Sequence, residues 1–476
     1  MTIPGYVHRG SYAWEEGMRP GVQIADGRIA AWYQGGVLAL VCAVLFANLP
    51  LYAYVLRPGL LPKYQYVALF LLMLPLVPAC RRQLPCYLVS PFVLWASLLL
   101  LVNLVHLASL TSGGQVGGTL LIDNRMEARR ALVEVRMQYI LFAMALGFAV
   151  HASSAAARRI ALRVMVVLAV LLPCAVIADF LRPGLFYAPD TPGTVVGRAA
   201  AVYLNPTMAG EVLLLLCLFA CLAVPMRWRA PLLLLAGAAV LTTFSRSAIL
   251  AWILVLGILA TCRSLPKSAL AVGALAIGAA LLGFGMFESY LLSRSDFEGA
   301  AAGNILARLD FFSNFSLGDD SAAERSEVLR SGWELFLQNP VFGAGAGATQ
   351  FWEHRGGTHN QLLMFAAEYG CFGVGLWAWM AAILWRGRLF EDTGLRLALV
   401  ALYLTMSMFT HLMLDVETFW LASFALAAAG RPDASSAVRR RIHGASGPDH
   451  PPLGLAPFAW SYEALEAVRH QKRLGT

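Results

Sequence analysis

The sequence predicts an all-α integral membrane protein. Of its 476 residues, 59% are hydrophobic and only 13% are charged, and the mean hydropathy is +0.64. A soluble domain usually carries about 25% charged residues. The apolar residues also occur in runs of about 17 to 25, which is the length that a helix needs to cross a bilayer. These observations exclude a soluble enzyme, a disordered tail and a nucleic-acid-binding module.

Apolar runs predict about twelve transmembrane helices. They lie at residues 33–56, 65–79, 87–110, 131–150, 160–181, 206–224, 230–244, 247–262, 268–287, 361–385, 395–410 and 412–429. The first run follows a polar lead and continues past the length of a signal sequence, so we expect a spanning helix rather than a cleaved peptide. An even number of spans places both termini on the same side of the membrane.

The distribution of basic residues predicts which side that is. Cytoplasmic flanks of spanning helices hold an excess of lysine and arginine. If the termini and alternate loops are inside, most of the 36 basic residues fall there. Both termini are therefore predicted to be cytoplasmic. With this topology, the net charge of +8 reflects basic residues on a solvated, lipid-facing rim at the cytoplasmic side.

The chain divides into five predicted segments. A cytoplasmic N-terminal segment (1–32) precedes helices 1–9 (33–287), and a large outer loop (288–360) precedes helices 10–12 (361–429). A cytoplasmic tail (430–476) ends the chain and contains basic and proline-rich stretches. Both an anchor to anionic lipid and plain disorder are compatible with the composition of this tail.

Ionisable residues inside predicted spans indicate where the protein acts. They are His106, Glu134, Arg136, Asp179, Glu211, Glu368, His411, Asp415 and Glu417. Such residues are costly in a bilayer and usually functional. Each falls toward the outer end of its predicted helix, whereas a coupled transporter would place them near the midplane. We therefore expect the function to reside at the outer face.

The large outer loop is predicted to contain an amphipathic helix over residues 321–338. Ser321 and Glu324 have the spacing of a capping box. The side chains Val328, Leu329, Trp333 and Phe336 then recur at helical spacing. We expect this helix to lie against the helix bundle or the membrane surface.

A glycine-rich segment and a histidine follow that helix. In NPVFGAGAG (339–347), the proline ends the helix and three glycines free the backbone for close approach. Since no lysine follows and no strand precedes, we expect a flexible connector rather than a phosphate-binding loop. The next span opens with THNQLLMFAAEYG (358–370), which places His359 at its outer mouth.

Three smaller motifs fall on the same predicted side. The segment GRAAAVYLNPTMAGE (197–211) carries Arg198 and begins a helix at Asn205-Pro206. The segment TTFSRSAIL (242–250) carries Arg246 in a turn between two spans. His411 and Asp415 mark the turn between the last two spans.

These motifs, in this order and on one side, resemble the O-antigen ligase and polysaccharide polymerase superfamily of bacterial inner membranes. The specific motifs occupy 197–211, 242–250 and 325–373, and the span arrangement is similar throughout. The resemblance implies that the large loop is periplasmic. It also implies glycan transfer there from an undecaprenyl-diphosphate-linked donor. Ligases transfer to lipid A–core, polymerases to another lipid-linked chain, and relatives to protein hydroxyls.

The resemblance also implies roles for individual residues. Matching by motif assigns the catalytic base to His359 and the diphosphate-binding groups to Arg246 and Arg325, with Arg198 a looser match. Thr207 departs from the family pattern, because a second Asn is frequent after Asn-Pro. The family is metal-independent, so neither a metal nor another cofactor is expected. The expected partners are the lipid-linked donor, the lipid A–core acceptor and membrane lipids, and no nucleic acid.

Simpler interpretations stay open for each of these residues. An interfacial histidine often only reaches toward water or caps a helix, and Arg246 could anchor lipid headgroups. A metal cluster of Glu353, His354, His359, His411 and Asp415 is disfavoured, because histidines five residues apart do not share a helix face. An O-antigen ligase is the favoured function. The alternatives are an O-antigen or exopolysaccharide polymerase on the same scaffold and a polysaccharide or lipid transporter.

Overall fold

The computed structural model confirms the all-α class. It describes residues 20–77, 81–111, 126–188, 191–195, 197–266, 320–352, 357–387 and 389–429, and these residues form helices and no β-strand. The predicted span 268–287, the tail 430–476, and Glu353 and His354 lie outside the described residues. The division of the chain into five segments therefore stays a prediction.

Fourteen α-helices occupy the described residues. They are α1 Pro20–Phe46, α2 Leu49–Leu56, α3 Pro62–Met73, α4 Leu84–Leu88, α5 Pro91–Thr111, α6 Met126–Ala152, α7 Ala155–Leu181, α8 Pro206–Ala220, α9 Met226–Thr242, α10 Arg246–Thr261, α11 Asp320–Gln338, α12 Gln361–Arg386, α13 Thr393–Met406 and α14 Thr418–Ala429. Every predicted span within the described residues overlaps one or two of these helices.

Four of these helices are long and apolar enough to cross a membrane. They include α6, α7 and α12 and residues Pro91–Leu110 of α5. A fifth span results if Ala30–Phe46 and Leu49–Leu56 are taken together, across a bend of 56° at a break that includes Asn48. Helices α8, α10, α13 and α14 are apolar but shorter. The twelve-span topology remains a prediction that goes beyond these helices.

The last predicted span starts later than the sequence suggested. Helix α13 ends at Met406 and α14 begins at Thr418, so the segment between them, residues 407–417, is not helical. Most of its side chains are nevertheless buried. Irregular backbone at membrane depth is tolerated only where protein or a water-filled cavity surrounds it. The apolar pattern could not reveal this break, because buried irregular backbone and buried helix have the same composition.

Helix α8 lies at the centre of the bundle. All residues from Met208 to Ala220 are buried, which is the pattern of a helix that is apolar on every side. Helix α7 packs along α1, α8 and α9, helix α14 packs along α6, and α10 packs along α13. This packing brings the N-terminal ends of α8, α10, α12 and α14 to the same end of the bundle as the C-terminal end of α7. We call this the polar end.

The predicted amphipathic helix is present as α11, and only part of its predicted apolar face is buried against the bundle. Val328 and Leu335 are buried, whereas Trp333 is 53% exposed. Gly332 lies between the two buried residues, and a Cβ there would come within 2.9 Å of the Leu363 side chain in α12. The spacing 328, 332 and 335 places these residues on one helix face. Helix α11 therefore packs on α12 through the face that carries Gly332, because the absence of a side chain there permits close contact with Leu363.

Candidate active site

The glycine-rich segment is docked tightly on α12. Helix α12 is interrupted at Gly370 (φ 67°, ψ −153°), which leaves carbonyl groups before the break available. The Ala344 amide donates to the Ala367 carbonyl (2.8 Å) and the Gly345 amide to the Glu368 carbonyl (3.0 Å). A Cβ on Gly343 (φ 74°) would lie 2.3 Å from the Glu368 carbonyl carbon. The expectation of close approach is therefore confirmed, and the expectation of a flexible connector is wrong.

Arg136 joins three separate parts of the chain at this point. Its Nε and Nη2 donate to the two carboxylate oxygens of Asp415 at 2.6 and 3.0 Å. Its Nη1 donates to Glu368 and to the Tyr369 hydroxyl, both at 2.7 Å. All three charged side chains are buried. A buried ion cluster of this kind is stable only when its members are all paired, so the geometry fixes α6, α12 and segment 407–417 together.

Two further residues of the bundle hold the glycine-rich segment. Arg129 donates to the carbonyls of Ala346 (2.8 Å) and Ala344 (2.9 Å). His106 accepts a hydrogen bond from the Ala346 amide at 3.0 Å through Nδ1. Thr349 donates to the Glu368 carboxylate at 2.7 Å. These contacts bring four of the predicted intramembrane ionisable residues, His106, Arg136, Glu368 and Asp415, to one end of the bundle.

His359 lies directly before α12 in a backbone conformation that is uncommon for residues other than glycine. Its φ is 49°, in the left-handed region, and the following Asn360 caps α12 by accepting from the Leu363 amide at 2.9 Å. Left-handed backbone at a residue other than glycine costs free energy and persists only where the surroundings enforce it. The half-buried His359 side chain is therefore attached to rigid, strained backbone and not to a mobile loop.

The surroundings that enforce this conformation belong to segment 407–417. The rings of His359 and His411 meet edge to face, with centroids 5.2 Å apart. A Cβ on Gly357 would lie 2.0 Å from His411 Nε2, so the chain before His359 is also pressed against His411. The Gln361 amide donates to the Ser407 carbonyl (2.6 Å), and the Met413 amide donates to Gln361 Oε1 (3.3 Å). Segment 407–417 therefore supports both the backbone and the ring of His359.

The His411 side chain is buried beside the ring of His359. Its Nδ1 is buried and has no hydrogen-bond partner among the described residues. The buried ring of His411 can therefore support the ring of His359 from below.

The predicted arginines Arg198 and Arg246 are brought to a common turn. Arg198 donates through Nε to the Thr243 carbonyl at 2.8 Å, and the Ala199 amide donates to the Thr242 carbonyl at 3.3 Å. Arg246 opens α10 only three residues after Thr243 and is half-buried. The structure thus joins two motifs that lie more than forty residues apart in sequence.

Thr207 takes part in this junction. Its hydroxyl accepts a hydrogen bond from Ser245 Oγ at 3.2 Å, while its amide donates to the Asn205 side chain at 2.8 Å. The residue by which this chain departs from the family pattern therefore ties the start of α8 to the turn that precedes Arg246. An asparagine at this position is not needed for that contact, because a hydroxyl already supplies it.

Arg325, the third predicted arginine, lies in the first turns of α11, and its side chain lies outside the described part of the structure. Helix α11 packs on α12, and a small apolar cluster buries Val328, Leu335 and Trp352 with alanines of the glycine-rich segment and α12. The backbone of α11 is therefore anchored beside the helix that His359 precedes. The roles assigned to the four predicted residues stay predictions.

Glu211 and Glu417 were identified in the sequence as ionisable residues inside predicted spans, but no motif assigned them a role in the site. Glu211 accepts from the Trp420 indole at 2.7 Å, and Glu417 accepts from the Thr410 hydroxyl at 2.8 Å. Both side chains are buried, and the second Glu211 oxygen has no hydrogen-bond partner among the described residues. The available signal was their location in apolar runs, which identifies functional candidates but not their neighbours.

The fold indicates a helical membrane protein, and buried polar and charged residues gather at one end of its bundle. A family model described as O-antigen ligase matches residues 230–378. The match confirms the resemblance to the O-antigen ligase and polymerase superfamily, whose members are membrane glycosyltransferase-like enzymes. The matched residues include Arg246, Arg325 and His359, and Arg198 precedes them. No curated protein was found to match the chain.

Proposed function

We propose that the protein is an O-antigen ligase, a membrane glycosyltransferase that acts at the periplasmic face of the inner membrane. It transfers a glycan from undecaprenyl diphosphate to a hydroxyl group of lipid A–core. The observation that carries the proposal is His359, a half-buried imidazole in strained backbone that lies at the polar end within the O-antigen ligase family match.

The chemistry requires a base at this position. The acceptor hydroxyl oxygen attacks the anomeric carbon of the donor sugar, and its proton passes to the His359 imidazole. The bond from the anomeric carbon to the diphosphate oxygen breaks, and the electron pair leaves with the diphosphate. Direct displacement inverts the anomeric configuration. A positioned base of this kind contributes roughly 10²- to 10⁴-fold to the rate.

The arginines stabilise the leaving group. Arg246 and Arg325 carry the negative charge that develops on the diphosphate, and Arg198 assists from the adjoining segment. Guanidinium groups suit this task because they remain charged and bind phosphate oxygens in pairs. Charge stabilisation of this type is worth about 3 to 4 kcal/mol of barrier for each well-placed donor. His411 acts through His359, as a positioning residue whose ring contacts that of the base.

The orientation follows from the distribution of basic residues. Cytoplasmic termini place the polar end in the periplasm, where the donor lipid and lipid A–core both present their headgroups. Labelling of a single introduced cysteine near His359 by a membrane-impermeant maleimide tests this. Labelling of intact spheroplasts supports the orientation, and labelling only after lysis contradicts it.

A reconstituted transfer reaction tests the activity. Purified protein in detergent is mixed with undecaprenyl-diphosphate-linked glycan and lipid A–core, without sealed vesicles. Formation of glycosylated lipid A supports a ligase and excludes a pure transporter. Elongated lipid-linked glycan without glycosylated lipid A would instead identify a polymerase. The lipopolysaccharide of a deletion strain gives the same distinction, because a ligase mutant retains complete polymer on the carrier lipid.

A further inference from the structure

The second half of α11 runs alongside the first half of α12. Near the polar end, a Cβ on Gly332 would lie 2.9 Å from the side chain of Leu363. Further along both elements, the Cys371 amide donates to the Pro340 carbonyl at 2.8 Å. Since such a stretch of helix rises about 12 Å, the chain moves about 12 Å away from the polar end between Gly332 and Pro340.

After Pro340 the chain returns toward the polar end, where α12 begins. On this return path the glycine-rich segment donates backbone hydrogen bonds to α12, and its residues Ala344, Ala346 and Ala348 are fully buried. Irregular backbone is tolerated at membrane depth only where protein or a water-filled cavity surrounds it. The return path meets this condition, so residues 335–352 are able to lie below the level of the membrane surface.

The length of α12 indicates how deep this segment reaches. A Cβ on Gly370 would overlap the Val341 carbonyl oxygen, so Val341 lies level with the break in α12. The far end of α12 carries the exposed Trp385 and Arg386, residue types that mark a membrane–water interface. Residues 371–386 rise only about 24 Å, whereas the hydrocarbon core is about 30 Å thick. The core therefore extends about 6 Å past the break, and Val341 lies inside it.

The surface of the segment has the composition of a lipid-facing surface. Leu337, Val341 and Phe342 are 58%, 59% and 77% exposed, and we call these three residues the apolar tip. No charged residue occurs between Glu334 and Glu353. Charged side chains are costly in hydrocarbon, and their absence over the whole of residues 335–352 is the pattern expected of a segment within the membrane.

The apolar tip continues the outward face of a spanning helix. Past its break, α12 exposes Cys371, Val374 and Ala378, which share one helix face by their spacing. Cys371 is also the residue whose amide binds Pro340, directly before Val341. Because α12 is long and apolar enough to cross the membrane, its exposed face meets lipid. The apolar tip adjoins that face and meets the same surroundings.

We propose that residues 335–352 form a re-entrant segment, which enters and leaves the bilayer at the polar end, and that the apolar tip contacts phospholipid acyl chains. This part of the predicted outer loop is then embedded in the membrane. Insertion of the tip holds the glycine-rich segment at a fixed depth beside α12. The inference does not depend on the proposed reaction.

Site-specific photo-crosslinking tests the inference. The photoreactive residue p-benzoylphenylalanine replaces Leu337, Phe342 or Arg330, one at a time, in the full-length protein. Each variant is placed in nanodiscs of palmitoyl-oleoyl phosphatidylethanolamine and phosphatidylglycerol, irradiated and analysed by peptide mass spectrometry. Arg330 is the matched control, because it is 82% exposed and lies two turns before Leu337 on the same face of α11, about 10 Å nearer the polar end. All three side chains are exposed, so the larger residue fits, and thermal melting checks the fold.

We expect acyl-chain adducts at positions 337 and 342 and their loss at position 330. Equal adduct yields at all three positions would overturn the inference, since α11 would then lie flat on the membrane surface. Adducts from positions 337 and 342 to residues 267–319, or to a second copy of the chain, would also overturn it, because protein would cover the tip. Absence of any adduct at these two positions would show that the tip faces water and would overturn the inference as well.

Discussion

The two halves of the polar end, around His359 and around Arg198, differ in how tightly their side chains are packed. Around His359 the structure is closed, because a ring contact, a strained backbone and a buried ion cluster determine the position of each group. Around Arg198 a cavity of about 510 Å³ remains open, and Arg182 at its edge is exposed. The comparison teaches that the protein alone fixes the position of His359, whereas it leaves open space beside Arg198.

This difference has a physical reason. A general base must lie within hydrogen-bond distance of the proton that it removes, so small displacements reduce the rate. A site for a large lipid headgroup must instead admit and release its ligand repeatedly. Rigid support is therefore useful on the first side and an open cavity on the second. The four predictions below concern the closed half.

The largest expected effect comes from His359→Asn. Asparagine tolerates left-handed backbone, so the fold is retained while the base is lost. We expect glycan transfer to fall by about 10²- to 10⁴-fold in kcat, with little change in donor affinity. Steady-state transfer assays and thermal melting measure the two effects. Activity within tenfold of wild type would remove His359 from the role of base.

Arg136→Met is expected to destabilise the closed half. It leaves the carboxylates of Glu368 and Asp415 buried without their guanidinium, which costs about 3 to 5 kcal/mol. Thermal or denaturant unfolding in detergent measures the loss. The matched control is Arg130→Met on the same helix, because Arg130 is 54% exposed in its pair with Glu134 and such pairs are worth at most about 1 kcal/mol. Equal losses in the two variants would contradict the structural role of the buried cluster.

Gly343→Ala should separate the glycine-rich segment from α12. The new Cβ would lie 2.3 Å from the backbone of Glu368, and φ 74° is unfavourable for alanine. We expect a loss of about 2 kcal/mol or more in the free energy of unfolding, together with reduced transfer. Gly375→Ala in α12 is the control, because nothing lies within 4 Å of the Cβ that it adds. A Gly343→Ala protein as stable as this control would show that the segment is not tightly docked.

The smallest expected effect belongs to His411→Gln. Glutamine keeps a polar side chain but loses the ring that supports His359, so we expect transfer to fall by about tenfold while acceptor and donor still bind. A variant with wild-type kcat would show that His359 keeps its position without this contact.

The sequence by itself determined the helical membrane class, the positions of most helices and the gathering of charged residues at one end. Runs of apolar residues and local capping patterns are properties of neighbouring residues, so α6, α7, α11 and α12 were predictable within a few positions. Arg198, Arg246, Arg325 and His359 were identified through the family motifs that surround them.

The tertiary structure decided how these pieces meet. Arg136 pairs with Glu368 and Asp415 across 232 and 279 residues, and no local pattern specifies such partners. The helical break at residues 407–417 and the docking of the glycine-rich segment likewise depend on which surfaces face each other. Local sequence fixes the helix because its hydrogen bonds join near neighbours, whereas packing of distant segments fixes the site.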